Sequence, residues 1–193
     1  MTIESADHNS VSAPNETGKA KRKWRVWLTG GIVAVAAIFG WNALVCAPVS
    51  TALEGESDAS IVAYRKWLLS PSQIVIDVRS VQGTQSMAGM DRMLLKAAEA
   101  LQDHEYDSIV LAYGGDAKLL MEGSYFRELG VTRQTQNPLY TMRTMQEHLH
   151  NLDGTAAFEQ WSGGWLGVLG KQMEDHNEFH RRWWVQAASG LPG

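Results

Sequence analysis

Residues 107–121 read DSIVLAYGGDAKLLM. An apolar, β-branched run, a Gly114-Gly115-Asp116 turn and a second apolar run over 118–121 predict a β-hairpin. Upstream, QIVIDV at 73–78 predicts a buried strand by the same composition. Between the two, Met90, Met93, Leu94, Ala97 and Leu101 recur at helical spacing, which predicts a helix over 86–103. Strand, helix, strand implies a parallel pair joined by a crossover, and the hairpin adds an antiparallel strand. The fold class is α+β (mixed α/β): a small three-strand mixed sheet in the order β-α-β-β, packed with several helices.

The flanking segments are read the same way. Asp58 or Ser60 can cap a short helix running to Leu69, with Ile61, Tyr64, Trp67 and Leu68 on its apolar face and Pro71 ending it. Residues 79–86 read as a loop. Ser124–Leu129 reads as one or two helical turns ended by Gly130. Asn137-Pro138 opens a further helix with Met142, Met145, Leu149 and Leu152 as its stripe. The last helix is expected over 165–188. A chain of 193 residues suits one folded domain with extras.

The extras lie at the amino end. VWLTGGIVAVAAIFGWNALVCA, residues 26–47, holds no charge, and about 20 apolar residues of helix cross a bilayer core. Lys19, Lys21, Arg22, Lys23 and Arg25 precede it, whereas Glu54, Glu56 and Asp58 come before the next basic residue, Arg65. Trp24, Trp27 and Trp41 stand near its ends, where indoles favour the interface. The reading is a single-pass signal-anchor in the cell inner (plasma) membrane: 1–23 a disordered cytoplasmic tail, 24–47 the transmembrane helix, 48–56 a linker, and 57–193 a periplasmic or extracellular domain. A cleaved signal peptide is the rival, since Ser50-Thr51-Ala52 supplies small residues, but the apolar run is longer than such a core. Ala36, Gly40, Ala43 and Ala47 share one helical face and are candidates for homodimer contact within the membrane.

Composition excludes several functions. Setting aside the five basic and three acidic residues of 1–47 leaves 12 Lys and Arg against 18 Asp and Glu, a net of −6. That balance argues against nucleic acid, whose binding rests on phosphate neutralisation. The one cysteine, Cys46, lies in the apolar run, so neither an intrachain disulfide nor a cysteine nucleophile is expected. No G-x-S-x-G or phosphate-loop pattern occurs, and no cofactor is implied.

Two places remain as candidate sites. If the first two strands are parallel, the loops after them meet at one sheet edge, the usual ligand position in open α/β sheets. Asp77, Arg79, Ser80 and Gln82 follow the first strand, and Tyr113 and Asp116 the second. The second place is EDHNEFHRRWW, residues 174–184. His176 and His180 share a helical face, while Glu178 points away, so the zinc-protease pattern fails on geometry. That face is also the apolar stripe Trp165, Leu169, Met173, His176, His180, Trp183 and Ala187, which favours buried, hydrogen-bonded histidines over metal ligands or a pH switch. For a metal site, His150, Asp153 or Glu159 would have to complete the ligand set. Gly163, Gly167 and Gly170 share a face that permits close approach of another element. Trp165, Trp183 and Trp184 are candidates for a membrane or partner contact.

The functional expectation is a membrane-anchored, extracytoplasmic protein-interaction or accessory domain, non-enzymatic, with the lipid bilayer and a cell-envelope protein as partners. The alternative is a cell-envelope hydrolase with its polar site at the strand ends.

Overall fold

The computed structural model describes residues 17–161 and 165–190, with side chains from residue 31 onward except those of 165 and 166. Of the tail read as disordered over 1–23, residues 1–16 lie outside them, and 17–23 are helical, continuous with the apolar run. Helix α1 spans Thr17–Ala52, and Gly31–Ala52 is, among the described residues, the one stretch long and apolar enough to cross a membrane. The chain divides into two compact units, residues 1–37 and 38–193. In the first, the described side chains are exposed.

The second unit is built on a mixed sheet of five strands in the order β1-β2-β3-β4-β5, rather than three. Strand β2 (Gln73–Val81) runs parallel to β3 (Ser108–Tyr113), which pairs antiparallel with β4 (Asp116–Glu122). Helix α2 (Met87–Leu101) makes the expected connection, its first turn capped by Ser86, whose hydroxyl accepts from the Gly89 amide at 3.0 Å. The two additional strands are β1 (Ala59–Arg65), antiparallel to β2, and the short β5 (Leu149–His150), antiparallel to β4.

Each added strand corrects a helical reading. Over 59–65 the spacing of Ile61, Tyr64 and Leu68 suits a helix, yet the inward positions are Ala59, Ile61, Ala63 and Arg65, the two-residue period of a strand. Pairing along β2 supports β1, whereas an isolated helix of so few residues is marginal in water. Beyond Pro138–Thr144 (α4) and a tight turn to His148, Leu149 joins the sheet edge and Leu152 is exposed, so the stripe ends at Met145.

The helices pack on one sheet face. Ile74, Ile76, Val78, Ile109, Leu111 and Leu119 meet Met90, Leu94, Phe126, Phe179 and Trp183 there. Helix α3 (Gly123–Thr132) lies so close that a Cβ at Gly123 would overlap the Tyr106 carbonyl, and one at Gly130 the Ala98 carbonyl. Helix α5 (Trp165–His180) passes through a wider π turn (Arg181–Val185) into a last turn α6 (Gln186–Ala188). The opposite sheet face carries Val75, Val110 and Ala112 with Tyr64 and Leu120 packed on them, all strand residues.

The segment read as a linker, 48–56, is helical to Ala52, and Val45, Val49 and Leu53 are buried in the main core. The helix therefore enters the domain directly. Asn42, a polar residue inside the apolar run, is buried too. Its amide donates to the Leu68 carbonyl at 2.7 Å and its oxygen accepts from the Arg65 amide at 2.9 Å. Arg65 completes the join, donating to the Pro71 carbonyl at 2.7 Å and stacking 4.1 Å from the centre of the Trp41 ring. The turn between β1 and β2 holds Trp67 at φ 57° and Leu68 at φ 62°, left-handed conformations that cost side-chain-bearing residues about 1–2 kcal/mol each.

Candidate functional site

The parallel β2–β3 pair does bring its two following loops together. The Gly114 amide donates to the Val78 carbonyl at 2.9 Å, and Asp77 sits at the junction. Its carboxylate is fully buried and accepts from the Tyr64 hydroxyl at 3.0 Å, from the Gly115 amide at 3.1 Å and from Arg79 at 2.8 Å. Burial and the adjacent carboxylate push the Tyr64 hydroxyl up to about 12. Asp77 thus fastens β1, β2 and the β3–β4 turn to one another, with Arg79 stacked over the Tyr64 ring as a lid. Asp116 stands exposed on the turn, and Tyr113 packs against the main core. Ser80 and Gln82 line a separate depression of about 280 Å³ beside Ser50 and Ser57. The six strand-end residues therefore do not converge on one pocket.

The histidine helix holds a tighter constellation. His176 and His180 are buried and meet Asp91 of α2, a residue that no motif in the sequence singles out. His176 Nε2 lies 2.8 Å from Asp91 Oδ2, and His180 Nε2 lies 3.0 Å from Oδ1. The two Nε2 atoms are 3.2 Å apart. One histidine thus faces each carboxylate oxygen, a two-pronged contact resembling the fork of a guanidinium. Burial alone would raise the Asp91 carboxyl, but the hydrogen bonds from His176 and His180 outweigh it and hold it below its usual value. His180 is pushed down, chiefly by burial, against the pull of Asp91.

The donor atoms of Asp91, His176 and His180 lie within 4.8 Å of one another, close enough to surround a cation. His150, Asp153 and Glu159, the partners expected for such a site, are not part of it. The hydrogen bond from the Trp184 indole decides how the cluster is protonated. Indole N–H only donates, and it reaches His180 Nδ1 at 2.8 Å. That nitrogen must offer a lone pair, so a neutral His180 carries its proton on Nε2 and gives it to Asp91. An Nε2 bearing a proton has no lone pair for a metal. The arrangement is a buried, charge-assisted lock between α2 and α5.

Trp183 and Trp184, read as surface candidates, are core residues. The Trp183 indole donates to the Ala112 carbonyl at 3.2 Å, joining the last helix to β3. The π turn lets both adjacent indoles face inward. Trp165 lies outside the described side chains and Gly163 outside the described residues. Gly167 and Gly170 are exposed, and a Cβ at either would meet no atom within 4 Å, so among the described residues no element packs closely on them.

A second histidine–carboxylate group lies open to solvent. Glu122, at the end of β4, receives His148 Nδ1 at 3.2 Å and His150 Nε2 at 3.0 Å. Burial pushes this carboxyl up, the bonds from His150 and His148 push it further down, and it ends below its usual value. Glu122 and His150 border an open cleft of about 970 Å³ that also carries Trp161, Asp175 and Arg182. The shared strand period placed His150 beside Glu122, and reading 149–152 as helix hid it.

Comparison with protein-family models, with curated proteins and with solved structures returned no match.

Proposed function

We propose that the chain is a single-pass, membrane-anchored protein whose folded unit works outside the cytoplasm as a protein-interaction or accessory module. The observation that carries the reading is the sheet face bearing Val75, Val110, Ala112, Tyr64 and Leu120. These side chains cluster with one another alone, on a face to which no helix contributes among the described residues. Val75, Val110 and Ala112 are buried and Tyr64 and Leu120 half-buried, so the face offers a partner its two outer side chains, with no helix laid over them. Two further observations support it. Asp77, the buried carboxylate at the strand ends, is consumed in holding the sheet. The basic residues before the apolar helix, with none after it until Arg65, favour an exterior domain.

Two measurements test this. A periplasmic reporter fused at the carboxyl end should be active and a cytoplasmic one silent. A photo-crosslinking residue at Leu120 should give a discrete protein adduct in intact cells, absent from the same residue placed at Asp116. Adducts equal at both positions would remove the interaction reading.

One observation favours the hydrolase alternative, at a different place from the strand ends. Glu122 with His150 is a carboxylate–imidazole pair on an open cleft, able to move a proton. Hydrolytic activity in the purified full chain, lost in Glu122→Gln with the fold intact, would establish it.

A further inference from the structure

The turn after β1 exposes three consecutive apolar side chains, Trp67, Leu68 and Leu69, at 83%, 48% and 62%. An exposed leucine is ordinary, but three neighbours including an indole are not. Nothing local disposes the chain to present them, since Trp67 and Leu68 both hold left-handed backbone angles. Strain of this kind persists where surrounding structure over-determines it, and here the determining contacts come from α1. Asn42 binds the Leu68 carbonyl, and Arg65 clamps the turn between the Trp41 ring and the carbonyls of Ser70 and Pro71. The turn is thereby fixed at the level of Trp41 and Asn42, where the apolar helix enters the folded unit, with Phe39 and Leu44 also exposed there.

Length points the same way. Asn42, Val45 and Val49 are buried in the folded unit, so the uncharged run ahead of its first buried residue is 26–41. Sixteen residues of helix rise ~24 Å, short of the ~30 Å hydrocarbon layer. A shortfall of that size is met by thinning of the bilayer or by apolar side chains flanking the run.

We infer that Trp67, Leu68 and Leu69, with Trp41, form a seat that inserts into the outer leaflet of the membrane and fixes the domain upright on it. The inference rests on the membrane-anchored reading. Indole and leucine side chains at the headgroup boundary suit that environment, and Lys66 beside them can reach lipid phosphate. The β3–β4 turn then points away from the membrane. The register pairs Gln73 with Ser108 and Val78 with Tyr113, so Asp116 lies at the far end of the strands, roughly 17 Å along them.

Spin-label depth measurement on the full chain in phospholipid vesicles tests this. In a Cys46→Ser background, single cysteines are placed at Val33, Leu69 and Asp116, all exposed positions. Labels at 33 and 69 should relax more with oxygen than with a water-soluble nickel complex, and the label at 116 the reverse. If 33 reads as lipid while 69 matches 116, the seat is refuted and the anchor stands. If 33 itself reads as aqueous, the anchor fails and the seat with it. A label at 69 shielded from both reagents means protein covers the turn, which also overturns the lipid assignment.

Discussion

The Trp184 indole donates to His180 Nδ1 at 2.8 Å, one helical turn along the same element. This bond sets the tautomer of a histidine buried beside Asp91, and so decides whether the cluster is a lock or a metal ligand set.

Acid should weaken the fold. The folded-state pKa of His180 is lowered below 6.5, so as pH falls below 6.5 the unfolded chain takes up a proton that the folded chain refuses. Its contribution is present above 6.5 and is lost progressively below it, at no more than about 1.4 kcal/mol per pH unit for one proton. Asp91, lowered from 3.8, adds loss only as the pH drops below that value. Thermal unfolding of the full chain at pH 7.5 and 5.5 checks this. A rise in stability on acidification would contradict it.

Asp91→Ala should cost about 1–3 kcal/mol for each buried imidazole N–H it leaves without an acceptor. Asp91→Asn, which retains one oxygen, should cost less. Denaturant unfolding measures both, and a cost near zero for alanine would show that the carboxylate is not holding the two helices.

The parent chain should take up zinc or cobalt weakly. Trp184→Phe frees His180 Nδ1 to carry the proton and exposes the Nε2 lone pair, so cobalt affinity should rise about tenfold or more, the size of effect seen when groups behind a ligand change. Tight stoichiometric binding by the parent, lost in His176→Ala, would overturn the tautomer assignment.

Gly123→Ala and Gly130→Ala should each destabilise by about 1–3 kcal/mol or more, since backbone carbonyls of Tyr106 and Ala98 occupy the space a methyl group needs. Gly167→Ala, which meets no neighbour, should be neutral or slightly stabilising. Equal effects at all three positions would count against the close packing of α3.

Asp77→Ala should reduce stability by about 1–3 kcal/mol through the lost bonds to Tyr64 and Gly115, while leaving any hydrolytic activity of the full chain unchanged. Activity lost with stability preserved would make Asp77 a catalytic candidate again.

Local pattern carried much of the molecule. The apolar run of 26–47, the β2–α2–β3–β4 order and the Asn137 start of α4 all follow from side chains within a few residues of each other. Such features depend on helical or strand periodicity and on turn chemistry, which a sequence displays directly. It also placed His176 and His180 together on the apolar stripe of the last helix.

Contacts between distant segments were decided by the tertiary structure. Asp91 lies 85 residues from His176, although a carboxylate within the stripe of Met87, Met90, Leu94 and Ala98 was itself a sign that a buried donor must meet it. Strand β1 was hidden because seven residues with apolar spacing fit a helix as well as a strand until β2 supplies the hydrogen bonds. Asn42 falls within the uncharged span, and only its bonds to Arg65 and Leu68 assign it to the domain. Periodicity says which face a side chain occupies, whereas the partner across that face is set by how the elements pack.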